Sequence, residues 1–196
     1  MALYDIAAQH SGVSIYKFLG GEKNKILETD YTVSIGDPQK MKADAIKIKE
    51  RGFPAVKVKL GETKEKDFER IKAIREGIGN DHTLRIDANQ GWKTANNAIA
   101  VLQALAEFNI EYCEEPILRY RFMELNKVSE QSPIPIMADE SCSDEYDAER
   151  LIQLKACQMF NIKLGKSSKL MLILCENFWI FNGLNRAFGV LKIFKS

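Results

Sequence analysis

The chain has 196 residues, of which 45% are hydrophobic and 28% are charged, and its formal net charge at pH 7 is +1. This length suffices for one domain with a sizeable core, and the composition is that of an ordinary globular protein. The near-neutral charge gives no electrostatic case for binding nucleic acid or an anionic membrane, no signal peptide is recognisable, and the apolar stretch at 170–180 is too short to span a bilayer.

A strand followed by a helix recurs about every 25 residues along the chain. The first element is a predicted helix, Ala2–Gln9. Asp37 and Pro38 start a later helix and Gly52 ends it. Ser143 is expected to cap the last one. The predicted strands are Asp30–Ile35, Ala55–Leu60, Thr83–Ala88, Ile110–Glu114, Ile134–Ala138 and Gln158–Leu164. Alternating strands and helices predict parallel strands with right-handed crossovers.

Two architectures accept this pattern, an open doubly wound sheet and a (β/α)8 barrel. No glycine-rich phosphate loop follows the first strand, which weakens the nucleotide-binding version of the open sheet. Charged residues at the carboxyl ends of many different strands favour the barrel, although a closed one needs eight strands and about 250 residues. The prediction is an α/β fold that forms part of a (β/α)8 barrel of the TIM type, with six parallel strands.

Charged residues stand at the carboxyl ends of five consecutive predicted strands. They are Lys57 and Lys59, Asp87, Glu114, Asp139 and Lys163. Three carboxylates suit a hard divalent cation, and flanking lysines suit proton transfer. Side chains alternate across a strand, so Lys57 and Lys59 point the same way, whereas Glu114 and Glu115 point to opposite sides.

In a barrel, the second and sixth strands lie on facing walls with the three acids between them. A substrate bound to a metal on the acids would then have one lysine on each face. This arrangement predicts proton exchange at a carbon next to a carboxylate, with the metal stabilising the enediolate that forms. A lysine whose pKa is lowered by its neighbours and the metal can act as the base, and Lys57 beside Lys59 is one source of that lowering.

The ordered motifs resemble the muconate-lactonizing branch of the enolase superfamily, and most closely its dipeptide epimerases of the L-Ala-D/L-Glu epimerase type. The matching motifs are KVK at Lys57–Lys59, DANQGW at Asp87–Trp92, CEEP at Cys113–Pro116, ADES at Ala138–Ser141 and NIKLGK at Asn161–Lys166. The resemblance implies that Asp87, Glu114 and Asp139 bind Mg²⁺, one ion per subunit, with Mn²⁺ as an alternative ion. It also implies that Lys59 and Lys163 are the acid/base pair, and that Lys57, the first lysine of the KxK motif, is a third catalytic residue. The implied substrate is a dipeptide.

The same resemblance divides the chain. Residues 1–21 resemble the link that leaves the family's capping domain, and residues 22–166 resemble part of the family's barrel. Residues 167–196 form an atypical tail, such as a frameshifted reading frame would produce. Most of the capping domain and the last two strands have no counterpart. Two alternatives stay open: a cycloisomerase or lyase of the muconate cycloisomerase or o-succinylbenzoate synthase type, and an inactive truncated barrel. Open sheet edges would favour a homo-oligomer.

The remaining polar residues receive supporting or structural roles. Asn89, Glu140 and Asn161 are expected to support the ligands, and Glu115 to be supporting or structural. His10 and His82 are expected on the surface, and Trp92 is expected to pack in the core. The charged run at 62–70 is expected to be a solvated helix face. The four cysteines are expected to be reduced thiols of a cytoplasmic protein; they are Cys113, Cys142, Cys157 and Cys175.

Overall fold

The computed structural model describes residues 2–21 and 28–163. The helices are α1 (Ala2–His10), α2 (Ile15–Phe18), α3 (Pro38–Glu50), α4 (Lys64–Ile78), α5 (Ala95–Ala104), α6 (Phe122–Gln131) and α7 (Glu145–Gln153), with 3₁₀ turns at Ala106–Phe108 and Arg119–Arg121. The strands are β1 (Tyr31–Val33), β2 (Ala55–Lys59), β3 (Thr83–Asp87), β4 (Ile110–Glu114), β5 (Ile136–Ala138) and β6 (Met159–Phe160). The predicted tail lies outside these residues, and the predicted domain boundaries stay predictions.

The six strands form one parallel sheet in the order in which they occur along the chain. A doubly wound fold reverses its strand order at a switch point, whereas a (β/α) barrel adds each strand next to the last. The sequential order therefore confirms the barrel-type prediction. Within the described residues, β1 pairs only with β2 and β6 only with β5, so these two strands form the edges of the sheet.

The strands are shorter than predicted where pairing is limited. The outer strands β1 and β6 contain three and two residues, and each has one partner in the described sheet. In β5, the predicted start at Ile134 is wrong, because its N–H donates to the Ser132 hydroxyl and the next residue is Pro135, which has no N–H to donate. Apolar runs predict where a strand lies, but pairing on both sides determines how far it extends.

The sequence predicted side-chain caps for two helices, of which one is confirmed and one is wrong. Asp37 accepts hydrogen bonds from the N–H groups of Gln39 (2.9 Å) and Lys40 (3.2 Å) at the start of α3, as predicted. The predicted cap of α7 at Ser143 is wrong. Asp144 caps this helix by accepting from the N–H of Asp147 (2.9 Å). The N–H of Ser143 donates to the Asp147 carboxylate (2.9 Å), so the serine adds a second contact to the same helix start.

Apolar residues are buried on both faces of the sheet. One large cluster combines the outward side chains of the strands, such as Val56 and Val58, with the inward stripe of α4 at Ile71, Ile74 and Ile78. A second, smaller cluster consists of Tyr112, Met137 and Met159. Its members alternate in sequence with the large cluster, so they fill the concave side of the sheet beneath the charged strand ends.

The expectation that the run at 62–70 is a solvated face is wrong for two of its residues, because Asp67 and Arg70 are buried. The Asp67 carboxylate accepts hydrogen bonds from the N–H groups of Gly61 and Glu62 (both 3.0 Å), from Trp92 Nε1 (2.8 Å) and from Arg70 (2.9 Å). It thereby fixes the loop that follows β2. Trp92 is 2% exposed within the core, which confirms its predicted packing role.

We expect Asp67→Ala to lower the free energy of unfolding by about 3 kcal/mol, because it takes the acceptor from the buried Trp92 indole and from two backbone N–H groups. It also leaves the buried Arg70 guanidinium with only Gly36 and Glu62 as acceptors. Urea unfolding of the full chain measures the loss. Glu69→Ala is the matched control, since Glu69 is an exposed acid on the same helix. Equal stability of the two variants would contradict the role given to Asp67.

Candidate active site

The parallel register brings the predicted site residues to one edge of the sheet. Lys59 pairs with Asp87 across β2 and β3, and Asp87 pairs with Glu114 across β3 and β4. Glu114 in turn pairs with Met137, two positions before Asp139. The charged residues therefore form a row along the carboxyl ends of the strands, as the sequence predicted.

Lysine ammonium groups lie directly against the acids of this row. Lys57 Nζ lies 2.9 Å from Asp87 Oδ2 and 2.5 Å from Glu114 Oε2. Lys59 Nζ lies 2.7 Å from the same Asp87 oxygen, and Lys163 forms an ion pair with Asp139. The structure thus brings all six predicted residues into one connected cluster.

The lysine side chains differ in how much of their surface is exposed to solvent. The side chains of the three acids are at most 1% exposed, and that of Lys57 is 13% exposed between them. The side chains of Lys59 and Lys163 are 32% and 35% exposed. These two lysines can meet a bound molecule, and they contact different acids at the two ends of the row. Lys57 is placed to neutralise the acids.

Two lysines of the cluster, Lys57 and Lys163, have raised pKa values. Burial lowers the pKa of Lys57, but attraction to Asp87 and Glu114 outweighs it and holds that pKa above the ordinary lysine value. Burial likewise lowers the pKa of Lys163, but the hydrogen bond and charge of Asp139 raise it overall. The sequence prediction concerned a lysine whose pKa is lowered by its neighbours together with a bound metal, so it stays a prediction.

Three lysines match the three acids in number, but repulsion between the buried carboxylates still acts on Glu114. Burial and the nearby charge of Asp87 raise the pKa of Glu114 to about 7, although Lys57 opposes this rise. Glu114 also shares a hydrogen bond with the carboxyl group of Asp139. Such a group of close, buried carboxylates favours an additional positive charge.

The donor set fits a hard divalent cation by its chemistry. Buried carboxylate oxygens from adjacent strand ends are ligands that Mg²⁺ accepts. In residues 2–21 and 28–163, no three acidic, histidine or cysteine side chains are gathered tightly enough to hold an ion. Lysine ammonium groups instead contact the carboxylate oxygens of Asp87, Glu114 and Asp139. Cation binding at these oxygens would therefore compete with the ion pairs formed by the lysines.

The three predicted supporting residues contact this cluster. Asn89 Oδ1 accepts from Lys59 Nζ (2.5 Å), and the Asn89 N–H donates to Asp87 Oδ1 (2.9 Å). Asn89 Nδ2 donates to Glu140 Oε1 (3.2 Å), which links Glu140 to the cluster through the asparagine. Asn161 Nδ2 donates to Glu114 Oε1 (2.7 Å). Asp87 and Glu114 therefore each accept a hydrogen bond from one of these asparagines.

Glu115 has a more specific place than the sequence gave it. Its side chain is fully buried and points away from Glu114, as strand alternation requires. Its carboxylate accepts hydrogen bonds from the N–H groups of Asp139 (2.7 Å) and Ser141 (3.1 Å) and from the Ser141 hydroxyl. Burial raises the pKa of Glu115 although these hydrogen bonds oppose the rise. Two adjacent acids at a strand end were the only sequence signal for it.

The remaining sequence expectations concern histidines and cysteines. His10 is exposed as predicted, but His82 is half-buried, and burial together with nearby positive charges lowers its pKa. Cys113, Cys142 and Cys157 are thiols that are not joined in disulfides, whereas Cys175 lies outside the described residues. Among the described helices, none has the length and apolar character needed to cross a membrane.

The raised pKa of Glu114 predicts a pH dependence of stability in the metal-free chain. The folded-state pKa of about 7 lies above the ordinary value of 4.5, so between these values the folded chain binds more protons than the unfolded chain. The contribution of Glu114 to stability should therefore fall, by on the order of 2 kcal/mol, as the pH rises from about 5 to about 8. Urea unfolding of the parent and of Glu114→Gln at both pH values isolates this contribution, because glutamine does not titrate. If the difference in unfolding free energy between parent and variant were the same at both pH values, the pKa assigned to Glu114 would be contradicted.

Comparison with known proteins gives consistent matches. Residues 40–170 match the model of the family described as Enolase C-terminal domain-like. The chain is 56% identical over 168 residues to D-Ala-D/L-Ala epimerase of Cytophaga hutchinsonii, covering 86% of this chain and 45% of that protein. It is 40% identical over 169 residues to L-Ala-D/L-Glu epimerase of Clostridium acetobutylicum, covering 85% of this chain and 47% of that protein.

A solved structure of an epimerase also matches this chain. The dipeptide epimerase of Cytophaga hutchinsonii, complexed with Mg and the dipeptide D-Ala-L-Val, superposes with a TM-score of 0.84 at 54% identity. The match covers 89% of this chain and 49% of that one. The chain thus spans about half the length of the relatives it matches.

Proposed function

The chain belongs to the enolase C-terminal domain-like family, and we propose that its site serves a magnesium-dependent epimerase that inverts the carbon next to the carboxylate of a dipeptide. The observation that carries this proposal is the pair of one-third-exposed lysines, Lys59 and Lys163, at the two ends of a row of buried acids. The epimerase relatives, one of them with Mg and a dipeptide bound, support the same substrate class.

Asp87, Glu114 and Asp139 would hold the cation, one Mg²⁺ per subunit with Mn²⁺ as an alternative ion. When bound, the ion supplies positive charge to the substrate carboxylate and makes the adjacent carbon more acidic. It would also offset the negative charge that now holds the pKa of Lys163 above its ordinary value, which favours the neutral amine that a base requires.

Lys59 and Lys163 would move the proton. One lysine, as the neutral amine, removes the proton from the α-carbon of the dipeptide, and this leaves an enediolate on the carboxylate. The other lysine, as the ammonium, returns a proton to the opposite face, so the centre is inverted. For the opposite epimer the two roles exchange. Lys57, buried against Asp87 and Glu114, would hold the charge balance of the acids rather than transfer the proton.

Solvent deuterium incorporation tests the proposed function. The protein is incubated with Mg²⁺ and alanine-containing dipeptides in D₂O, and the α-protons are followed by NMR. An epimerase should exchange the α-proton and produce both epimers, whereas a cycloisomerase or lyase would produce a new skeleton or a double bond. The absence of exchange with every dipeptide would contradict the proposal. The epimerase relatives favour the first outcome.

Location and assembly are part of the same proposal. The thiols of Cys113, Cys142 and Cys157, which are not joined in disulfides, support a reducing, cytoplasmic environment. Among the described strands, β1 and β6 lie at the edges of the sheet, and such edges support self-association, which light scattering of the purified chain would measure. The net charge of +1 supports an absence of nucleic-acid or membrane partners.

A further inference from the structure

We propose that Glu115 is a positioning residue that fixes Asp139 and, through it, the ammonium group of Lys163. Its effect on proton transfer rests on the proposed function, whereas its effect on the loop after β5 does not. The Glu115 carboxylate accepts hydrogen bonds from the N–H groups of Asp139 and Ser141 and from the Ser141 hydroxyl, so its assigned role is structural rather than chemical.

Glu115 directly follows β4, and it contacts different groups from those that its neighbour Glu114 contacts. Glu114 faces the lysines, whereas the Glu115 side chain is buried on the opposite side of the strand. Its backbone has φ of +38°, a conformation that few residues other than glycine adopt. The surrounding structure must hold it there, because such a backbone costs free energy.

The hydrogen bonds of Glu115 connect three strand ends. Its side chain accepts from the N–H groups of Asp139 and Ser141 in the loop after β5. Its own N–H donates to the carbonyl of Met137 (2.9 Å), and its carbonyl accepts from the N–H of Gln90 (2.7 Å) after β3. The loop that carries Asp139 is therefore held by side-chain bonds from Glu115 in addition to the strand pairing.

The consequence should be local to one end of the acid row. Asp139 is the acid that contacts Lys163, whereas Lys59 contacts Asp87 and Asn89. Loss of the Glu115 acceptors frees the Asp139 N–H and lets that acid shift. The contacts of Lys59 involve none of these groups. A defect at Glu115 should therefore affect proton transfer by Lys163 more than that by Lys59.

Glutamine and leucine replacements separate the hydrogen bonds from the size of the side chain. Glu115→Gln keeps one oxygen that can accept from both backbone N–H groups, and its amide can donate to the Ser141 hydroxyl. Glu115→Leu keeps a similar volume but accepts no hydrogen bond. Glu130→Leu is the matched control, because Glu130 is an exposed acid on α6.

Backbone hydrogen exchange, read by mass spectrometry on the full chain, tests the positioning without any activity. In Glu115→Leu, peptides that contain Asp139 and Ser141 should exchange at least about tenfold faster than in the parent, whereas Glu115→Gln and Glu130→Leu should stay close to the parent. Unchanged exchange in Glu115→Leu would overturn the proposal. An equal acceleration in peptides from α3 would also overturn it, because that result would indicate general unfolding.

Two further results complete the test. If Glu115→Leu does not fold, Ser141→Ala removes one of the three hydrogen bonds to the Glu115 carboxylate. The loop peptides of Ser141→Ala should then exchange faster than those of the parent, and no acceleration would overturn the proposal.

With dipeptides in D₂O, Glu115→Leu should lose α-proton exchange from the epimer served by Lys163 more than from the other epimer. Equal losses from both epimers would overturn the selective role. If the parent itself exchanges no dipeptide α-proton, the proposed function fails, and backbone exchange still decides the role of Glu115.

Discussion

Glu114→Gln is expected to weaken Mg²⁺ binding by at least about 100-fold and to remove proton exchange with it. Glutamine has the same shape but lacks the charge, and Glu114 is the acid between Asp87 and Asp139. Its carboxylate already interacts with Lys57, Asn161 and the Asp139 carboxyl group. Titration calorimetry with Mg²⁺ measures the affinity directly, so the result does not depend on finding the right dipeptide.

The fold should survive this substitution. The pKa of Glu114 is raised because its charged form is unfavourable when it is buried beside Asp87, so a neutral amide should cost little stability. Asp81→Asn is the matched control, since Asp81 is exposed in the turn before β3. If Glu114→Gln binds Mg²⁺ as the parent does, the acid row is structural and the proposed metal site is wrong.

Lys59→Ala and Lys163→Ala are each expected to lower α-proton exchange by about 10²–10⁴-fold for one epimer of the substrate and much less for the other. The two lysines contact different acids at opposite ends of the row, so each should serve one face of the bound dipeptide. The measurement is the rate of deuterium incorporation into each pure epimer. Equal, small effects in both variants would show that the lysines only balance charge.

Arginine replacements sharpen this test. Lys59→Arg and Lys163→Arg keep a positive charge beside the acids, but a guanidinium does not give up its proton under these conditions. Loss of exchange in the arginine variants would therefore assign proton transfer rather than electrostatic support. Lys40→Ala is the control, because the Lys40 side chain is 74% exposed on α3 and pairs with Asp44 instead of with an acid of the row. Full exchange in both arginine variants would contradict the proposed acid/base pair.

The sequence predicted the main features of this molecule for clear physical reasons. Parallel strands present their carboxyl ends at one edge, so the charges that end the apolar runs had to meet there. Strand alternation also predicted that Lys57 and Lys59 share a face and that Glu114 and Glu115 do not. These inferences need only the period of the backbone and the direction of the strands, and both follow from the order of residues.

Other features depended on distances that only the folded chain sets. The charged run at 62–70 looked solvated, yet Asp67 and Arg70 are buried, because the Trp92 indole and the Gly36 carbonyl that bind them come from distant parts of the chain. The shift in the pKa of Lys163 likewise depends on its contact with Asp139 from the strand before it.

The same division explains why Glu115 was assigned no definite role from sequence. Its identity and its side of the strand follow from the alternation of β4, but its partners are N–H groups in the loop after β5. Periodicity predicts the direction of a side chain, whereas hydrogen-bond partners depend on where another loop folds back. For this protein, the sequence alone determined which chemical groups meet at the strand ends. Tertiary packing decided which of them are neutralised, which remain accessible, and which hold the others in place.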